Sequence, residues 1–323
     1  MPKPRKHRGS NGDREGADRF RLPPGSEPRP DLPSWGSRQW HAVVRPQNFA
    51  FYRGIDTLFK FRAFTSKKDE LRVREIVEQH TVYFSPRHKL NDMFDMAVRH
   101  EIMGDKTNPA TRRRVLRDLE RLMRQHTPPL AEEVIRQQLE YTRTADLVDL
   151  EHQASTQSQA RLAKEFPVFC LSSDNTRPAQ WAYYAGDNTG VCIHFDSRIQ
   201  SSSPFAFARM VEYHNRRPFL PIPLSLNSNE VARRVALIKH TDWKHEREYR
   251  VLGHSDIGIN FRSFDCKRAE FSAQLIVGMT IGNRMNKRKE KILRQIASAH
   301  SPEIPLFRVN PRASTFACSI DPL

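Results

Sequence analysis

No run of 18 or more apolar residues occurs in the 323-residue chain, which removes the pattern of a bilayer-crossing helix. The N-terminal stretch MPKPRKHRGSNGDREGADRF is basic but lacks the apolar segment of a secretory signal, so a cytoplasmic protein with no membrane contact is expected. Cysteine is scarce. Cys170, Cys192, Cys266 and Cys318 stand far apart with no CxxC pair, which argues against a disulfide framework and for reduced, mostly buried thiols. His80, His88, His100 and His214 show no metal-ligand spacing, so no metal is assigned. The GxxxxGK[ST] phosphate loop, the GxSxG elbow and HExxH are absent as well, which sets aside the enzyme classes that those motifs announce.

What the chain does carry is positive charge. Lys and Arg number 53 against 37 Asp and Glu, for a net charge of +16, a balance that favours polyanionic partners such as nucleic acid or nucleotides. Residues 1–38 combine Pro, Gly and charge without apolar periodicity and read as a disordered basic tail. Its Lys3, Arg5, Lys6 and Arg8 form either a solvated arm or a weak phosphate contact.

A single α+β domain is expected over residues 39–323, with a helical insertion at 109–165. DTLFKFRAF (56–64) alternates as a strand, DELRVREIVEQ (69–79) has helical spacing, and TVYFSP (81–86) is a second strand. RHKLNDMFDMAV begins as a loop and turns into a helix. The glycine-poor insertion holds three amphipathic helices. The first carries Arg112, Arg113, Arg114, Arg117, Arg121 and Arg124. These read either as a solvated face partly paired with Asp118 and Glu120, or as a grip on nucleic acid or another acidic macromolecule. Further on come strands at FPVFCLSS, GVCIHFD, FARMVEYH, EREYRVLG, AQLIVGMTIG and PLFRVNP, with helices at RPAQWAYYA and KRKEKILRQIASAH and a helix leading to a turn at EVARRVALIKHTDW. The irregular mixture implies a central mixed or antiparallel sheet and not a doubly wound fold.

Chemistry concentrates in four stretches. In DWKHEREYRVLG, strand alternation would place Glu246, Glu248 and Arg250 on one face. Arg62 ends the first strand, Ser172 ends FCLS, and Asn91, Asp92 and Asp95 lie in LNDMFD. Each has a plain structural counterpart. Asn91 and Asp92 are good helix caps, Ser172 suits a turn, Trp181 and Trp243 suit the core, and an E-x-E-x-R face can be a paired edge strand.

LFKFRAF, VYFSPRHKLNDMFD, FCLSS, QWAYYAGDNTGVCIHFD, DWKHEREYRVLG and LIVGMTIG together resemble the bacterial DUF2971 family, a family of unknown function, over residues 56–310. Met93 stands where that pattern has Pro, and Gln180 where it has Met. A more distant similarity is to ADP-ribosyltransferases of the Arg-Ser-Glu type. That similarity implies NAD as substrate, a transferase or NAD glycohydrolase, and, for a bacterial protein, a toxin or defence role. It implies that Arg62 holds the pyrophosphate, Ser172 orients the nicotinamide ribose, and Glu248 stabilises the oxocarbenium. Glu246 would position or deprotonate the acceptor, Trp181 or Tyr184 would stack on nicotinamide, and Arg250 would add a cofactor contact. LSS stands where the transferase pattern has Ser-Thr-Ser. Asn91, Asp92, Asp95 and Trp243 remain as substrate or structural positions. Two other readings stay open: a metal-dependent nuclease built on Asp92, Asp95 and the glutamates, and a non-enzymatic nucleic-acid or protein-binding module.

Overall fold

The computed structural model describes residues 48–226, 228–253, 263–264 and 267–323. The expected tail, residues 1–38, and Cys266 lie outside them. In chain order the described residues form β1 (Thr57–Arg62), α1 (Lys67–Val77), β2 (Thr81–Tyr83) and β3 (Arg99–Glu101). The insertion follows as α2 (Pro109–Arg124), α3 (Glu132–Thr144) and α4 (Leu147–Glu165). Then come β4 (Val168–Ser172), α5 (Pro178–Tyr184), β5 (Val191–Asp196), β6 (Arg209–Met210), β7 (Glu212–His214) and β8 (Phe219–Pro221). The remainder is α6 (Ser228–Ala236), β9 (Ile238–His240), β10 (Glu248–Leu252), β11 (Ser263–Phe264), β12 (Arg268–Glu270), β13 (Ile276–Ile281), α7 (Lys287–Ala299), β14 (Leu306–Pro311) and β15 (Cys318–Pro322).

Local chemistry accounts for many of the boundaries. Ser66 caps α1 in a reciprocal box with Asp69, Asn108 caps α2 ahead of Pro109, and Asn286 caps α7. Each such side chain satisfies an amide that the first helical turn leaves without a partner. Eight strands assemble in the order β15-β14-β13-β5-β1-β4-β10-β6. The sheet is mixed: β13 and β14 run parallel, and the other pairs are antiparallel. The fold is α+β.

The main core lies on one face of this sheet. There Leu58, Phe169, Leu171, Ile193, Phe195 and Val251 pack with Val73, Ile76 and Val77 of α1 and with Leu293 and Ile296 of α7. On the other face, Trp181 of α5 and Ala185 just after it meet Phe61, Cys192 and Val309. Val231 and Val235 of α6 meet Val168 and Leu252. The insertion packs Val115 and Leu147 against Ile102, just after β3, in a small separate cluster. It is also tied to β3 by Glu151 and Ser155, which accept from the Ile102 and His100 amides.

Four expectations need correction. Residues 87–98 form no α-helix but a 3-10 turn, Arg87–Lys89, followed by tight turns. Asp92 accepts the Phe94 amide at 2.9 Å and Met96 has φ 55°, so a side chain takes a hydrogen bond that a helix would have made internally. FARMVEYH breaks at Val211 into β6 and β7, which join different sheets. The helix expected to lead into a turn in EVARRVALIKHTDW ends at Ala236, and Ile238–His240 then pairs with β7 as a strand, β9. Finally, β15 follows PLFRVNP and forms the sheet edge.

The arginines of α2 divide by role. Arg112 donates to the carbonyls of Thr142, Arg143 and Ala145 at the end of α3, and Arg114 to Met103. Arg113, Arg117 and Arg121 lie exposed at four-residue spacing, along one stripe of the helix.

Candidate functional site

The ladder between β1 and β4 consists of one pair, Phe59 with Ser172, whereas β1 pairs with β5 along all six of its residues. A cleft of about 210 Å³ is lined by residues 59–62 of β1 and by Cys170, Leu171 and Ser172 of β4. It is completed by Leu90 and Asn91 from the turn, Gln180 and Tyr184 from α5, and Lys239, Glu246 and Glu248. Gly190 secures the end of β1. A Cβ there would stand 2.2 Å from the Arg62 carbonyl oxygen, so glycine lets β5 begin beside Arg62.

Glu246 and Glu248 arrive by different routes. Glu248 begins β10, where it shares a face with Arg250, but Glu246 closes a 3-10 helix, Thr241–Glu246. Arg247 between them is left-handed, with φ 47°. The single-face strand reading of Glu-x-Glu-x-Arg therefore holds for Glu248 and Arg250 and not for Glu246. The kinked backbone still returns Glu246 to the cluster, because Lys239 donates to Glu246 at 2.6 Å and to Glu248 at 3.4 Å.

Arg250 holds the floor of the site. Its Nε and Nη2 donate to Glu248 at 2.8 and 2.9 Å. Its Nη1 and Nη2 donate to Asp95 at 2.8 and 2.6 Å, and Nη1 also reaches the Ala236 carbonyl at 2.8 Å. All five guanidinium N–H groups are thus used, and the side chain is 0% exposed. Burial alone would raise the Glu248 carboxyl, but the charges of Arg250 and Lys239 hold it well below the usual carboxylate range. Burial would likewise lower the Lys239 ammonium, but Glu248, Asp95 and Glu246 outweigh it and raise it. Trp243 lies under that ammonium at 4.6 Å, a cation–π contact.

Glu246 differs. Burial and then the adjacent Glu248 charge raise its carboxyl above the ordinary range, against the pull of Lys239. It accepts from Lys239 on one oxygen and from the Tyr184 hydroxyl on the other, and Tyr184 in turn accepts from Asn91 at 2.8 Å. About two of its four lone-pair sites stay open. Two neighbouring carboxyls pushed in opposite directions are the usual basis for dividing acid–base work from fixed charge.

The cationic wall is the opposite of the floor. The Arg62 side chain makes no hydrogen bond or ion pair with any described residue, and its buried Nε has no partner. Burial and then Arg72 lower the guanidinium to about 10. Lys60 donates to the Cys170 carbonyl at 2.6 Å and stands 4.8 Å over the Phe169 ring, with no carboxylate paired to it among the described residues. Burial and Arg62 lower its ammonium to about 8. Lys89 adds a third cation, bonded to the Tyr83 hydroxyl.

The sequence-derived candidates therefore separate. Arg62, Ser172, Glu246, Glu248, Tyr184, Asn91 and Asp95 line one cleft. The Ser172 hydroxyl donates to the Glu246 carbonyl at 2.7 Å and accepts the Asp174 amide, so it clamps two chain segments together. Trp181 is 0% exposed, packs edge-on against Phe61 and donates to the Asn175 carbonyl. It stands outside the cleft, so its expected stacking role has no surface to act on. Arg250, expected at a cofactor, has every donor committed within the protein. Asp92 belongs to the turn. Lys60, Lys239, Cys170 and Gln180 escaped the sequence reading. Lys60 carried a signal, since it alternates with Arg62 in LFKFR. Lys239 carried none, sitting in a stretch read as a helix leading to a turn.

Burial and then Glu248 push the Cys170 thiol up to about 12. Although it lines the cleft, Cys170 should be alkylated by iodoacetamide at pH 8 at least about tenfold slower than an unperturbed thiol, because the thiolate is the nucleophile. Mass spectrometry of the labelled peptide checks this, and rapid labelling in the folded protein would contradict the assigned environment.

The family model described as Protein of unknown function (DUF2971) matches residues 180–251. That segment supplies Gln180, Tyr184, Lys239, Glu246, Glu248 and Arg250. The match is shorter than the 56–310 expected from the motifs and leaves Lys60, Arg62, Asp95 and Ser172 outside it. No curated protein and no solved structure matches the chain.

Proposed function

We propose that the cleft binds a phosphate-bearing nucleotide, NAD in the reading implied by the Arg-Ser-Glu similarity, and cleaves its nicotinamide–ribose bond. One observation carries the proposal: Arg62 lines the cleft with a buried Nε that has no partner. A buried guanidinium N–H without a partner is costly, and an anion on the same cleft relieves that cost with charge-assisted hydrogen bonds. Lys60 lies on the same wall and strengthens the field. A volume of about 210 Å³ is below the common range of roughly 300–1,000 Å³ for enclosed sites, so the cleft surrounds part of a dinucleotide.

In this reading the C–N bond to nicotinamide breaks and its electron pair leaves with nicotinamide. The ribose carbon then bonds to an acceptor, water or a macromolecule. Glu246, with open lone pairs and a raised carboxyl, takes the acceptor's proton. Glu248, permanently ionised, supplies the fixed negative field near the developing cation. These are the roles the similarity implies, with Glu248 acting through its field because Arg250 and Lys239 already occupy its oxygens. The nuclease reading loses ground for the same reason: Arg250 and Lys239 fill the positions around Asp95 and Glu248 that a divalent cation would need. Among the described residues no group of three or more His, Cys, Asp or Glu could hold a metal ion.

Calorimetric titration with NAD, wild type beside Arg62→Met, tests the proposal. Binding should weaken by about 10- to 150-fold in the variant, as expected for loss of a charge-assisted contact of roughly 1.5–3 kcal/mol. Wild-type affinity should also fall as pH rises through about 8, where Lys60 gives up its proton. Equal binding by both proteins, or none by a folded wild type, would reject the reading.

A further inference from the structure

Gln180 is buried on α5, and the two ends of its amide meet unequal surroundings. Nε2 faces three oxygens: the Glu246 carbonyl at 2.5 Å, Ser172 Oγ at 3.0 Å and the His245 carbonyl at 3.4 Å. Two of these are carbonyls that can only accept. Exchanging the amide oxygen and nitrogen would set acceptor against acceptor, so the neighbours fix the orientation. Oε1, in contrast, is buried without a partner. Buried amide oxygens nearly always have a donor, and this one belongs to a residue that lines the cleft with Arg62, Tyr184 and Glu246.

We infer that Gln180 is a specificity residue: its Oε1 accepts a hydrogen bond from an amide N–H of the ligand, so the cleft selects a carboxamide-bearing pyridine nucleotide over its carboxylic-acid analogue. This rests on the proposed NAD reading. A carboxamide offers two N–H donors, whereas a carboxylate only accepts and would place an acceptor against Oε1. Net charge acts the other way. The acid analogue carries one more negative charge, which Lys60, Arg62 and the net charge of +16 would attract. A preference for the amide therefore cannot come from electrostatic attraction, and the sign of the preference separates the two causes.

The test is calorimetric titration of NAD and of nicotinic acid adenine dinucleotide into wild type and Gln180→Met, a side chain of similar length with no amide group. Wild type should prefer NAD by on the order of 100-fold, as sites built to hydrogen-bond a ligand reject analogues that cannot reciprocate. In Gln180→Met the ratio should fall to within about threefold. A Gln180 that only braces Glu246 would weaken both ligands alike and leave the ratio unchanged, which overturns the inference. Equal affinity in wild type, or tighter binding of the acid, overturns it without reference to the variant and leaves the anion-binding reading standing if Arg62→Met still weakens both. Binding of neither dinucleotide removes the NAD reading and this inference together.

Discussion

Replacing Arg250 by Met should destabilise the protein by about 3–5 kcal/mol, whereas replacing Arg62 by Met should cost nothing or raise stability. Both arginines sit in the same region of the sheet, yet their surroundings are opposite. Arg250 has five hydrogen bonds and two carboxylate partners. Removing it leaves Asp95, 2% exposed, and Glu248, 5% exposed, as buried charges with Lys239 alone between them. Breaking a buried pair from one side is the expensive case, because the partner keeps its desolvation penalty. Arg250→Lys should restore little, since a single ammonium cannot span two carboxylates bidentately. Arg62 has no carboxylate partner to leave behind among the described residues, so its removal takes away a half-buried charge whose buried Nε is not compensated. Denaturant unfolding of both variants checks the pair. Equal losses would mean that Arg62 is structural and that the cleft has no unsatisfied cation to offer a ligand.

The second large effect concerns the two glutamates. Glu246→Gln should lower the rate of NAD cleavage by about 10²–10⁴-fold, the usual contribution of a general base, with melting temperature equal or higher. Its folded carboxyl is raised above the ordinary value. Between the unfolded and folded values the native state holds more protons than the unfolded one, so stability falls as pH rises through that window. At neutral pH the charge of Glu246 is thus a cost that Gln removes. The activity itself should rise with pH through the same raised value, because the ionised form is the base. Glu248 has the opposite sign. Its folded carboxyl is depressed, so its contribution is present above the ordinary carboxylate value and is lost as pH falls towards the folded one. Glu248→Gln should destabilise at pH 7, because one of the two carboxylates that hold Arg250 is lost. Nicotinamide release and thermal melting across pH, measured for both variants, read out the contrast. Identical pH–stability curves for Glu246→Gln and Glu248→Gln would refute the division of roles.

Much of the architecture follows from periodicity that any reader of the chain can see. Phe59 and Phe61 alternate with Lys60 and Arg62 in TLFKFR, Val73, Ile76 and Val77 fall on one helical stripe, and VCIHFD is apolar enough to be buried on both faces. These local patterns specify elements because burial of one face is the largest favourable term available to each of them. Arg62, Ser172, Glu246 and Glu248 were also legible as residue types suited to a site.

What each one does was decided by contacts distant in sequence. Asp95 meets Arg250 across 155 residues, and Ser172 meets the Glu246 carbonyl across 74. The 3-10 helix and the left-handed Arg247 turn Glu246 out of the strand alternation, yet Lys239 draws it back. Pairing of β9 with β7 makes a strand where a helix leading to a turn was expected. Composition could name two arginines, but only the folded arrangement distinguishes Arg250, with every donor satisfied, from Arg62, whose buried Nε has no partner. The physical reason is that hydrogen bonding and desolvation depend on which groups meet within about 3 Å, and neither periodicity nor spacing carries that information across a chain that returns to the same cleft from β1, the turn after β2, β4, α5, β9 and the start of β10.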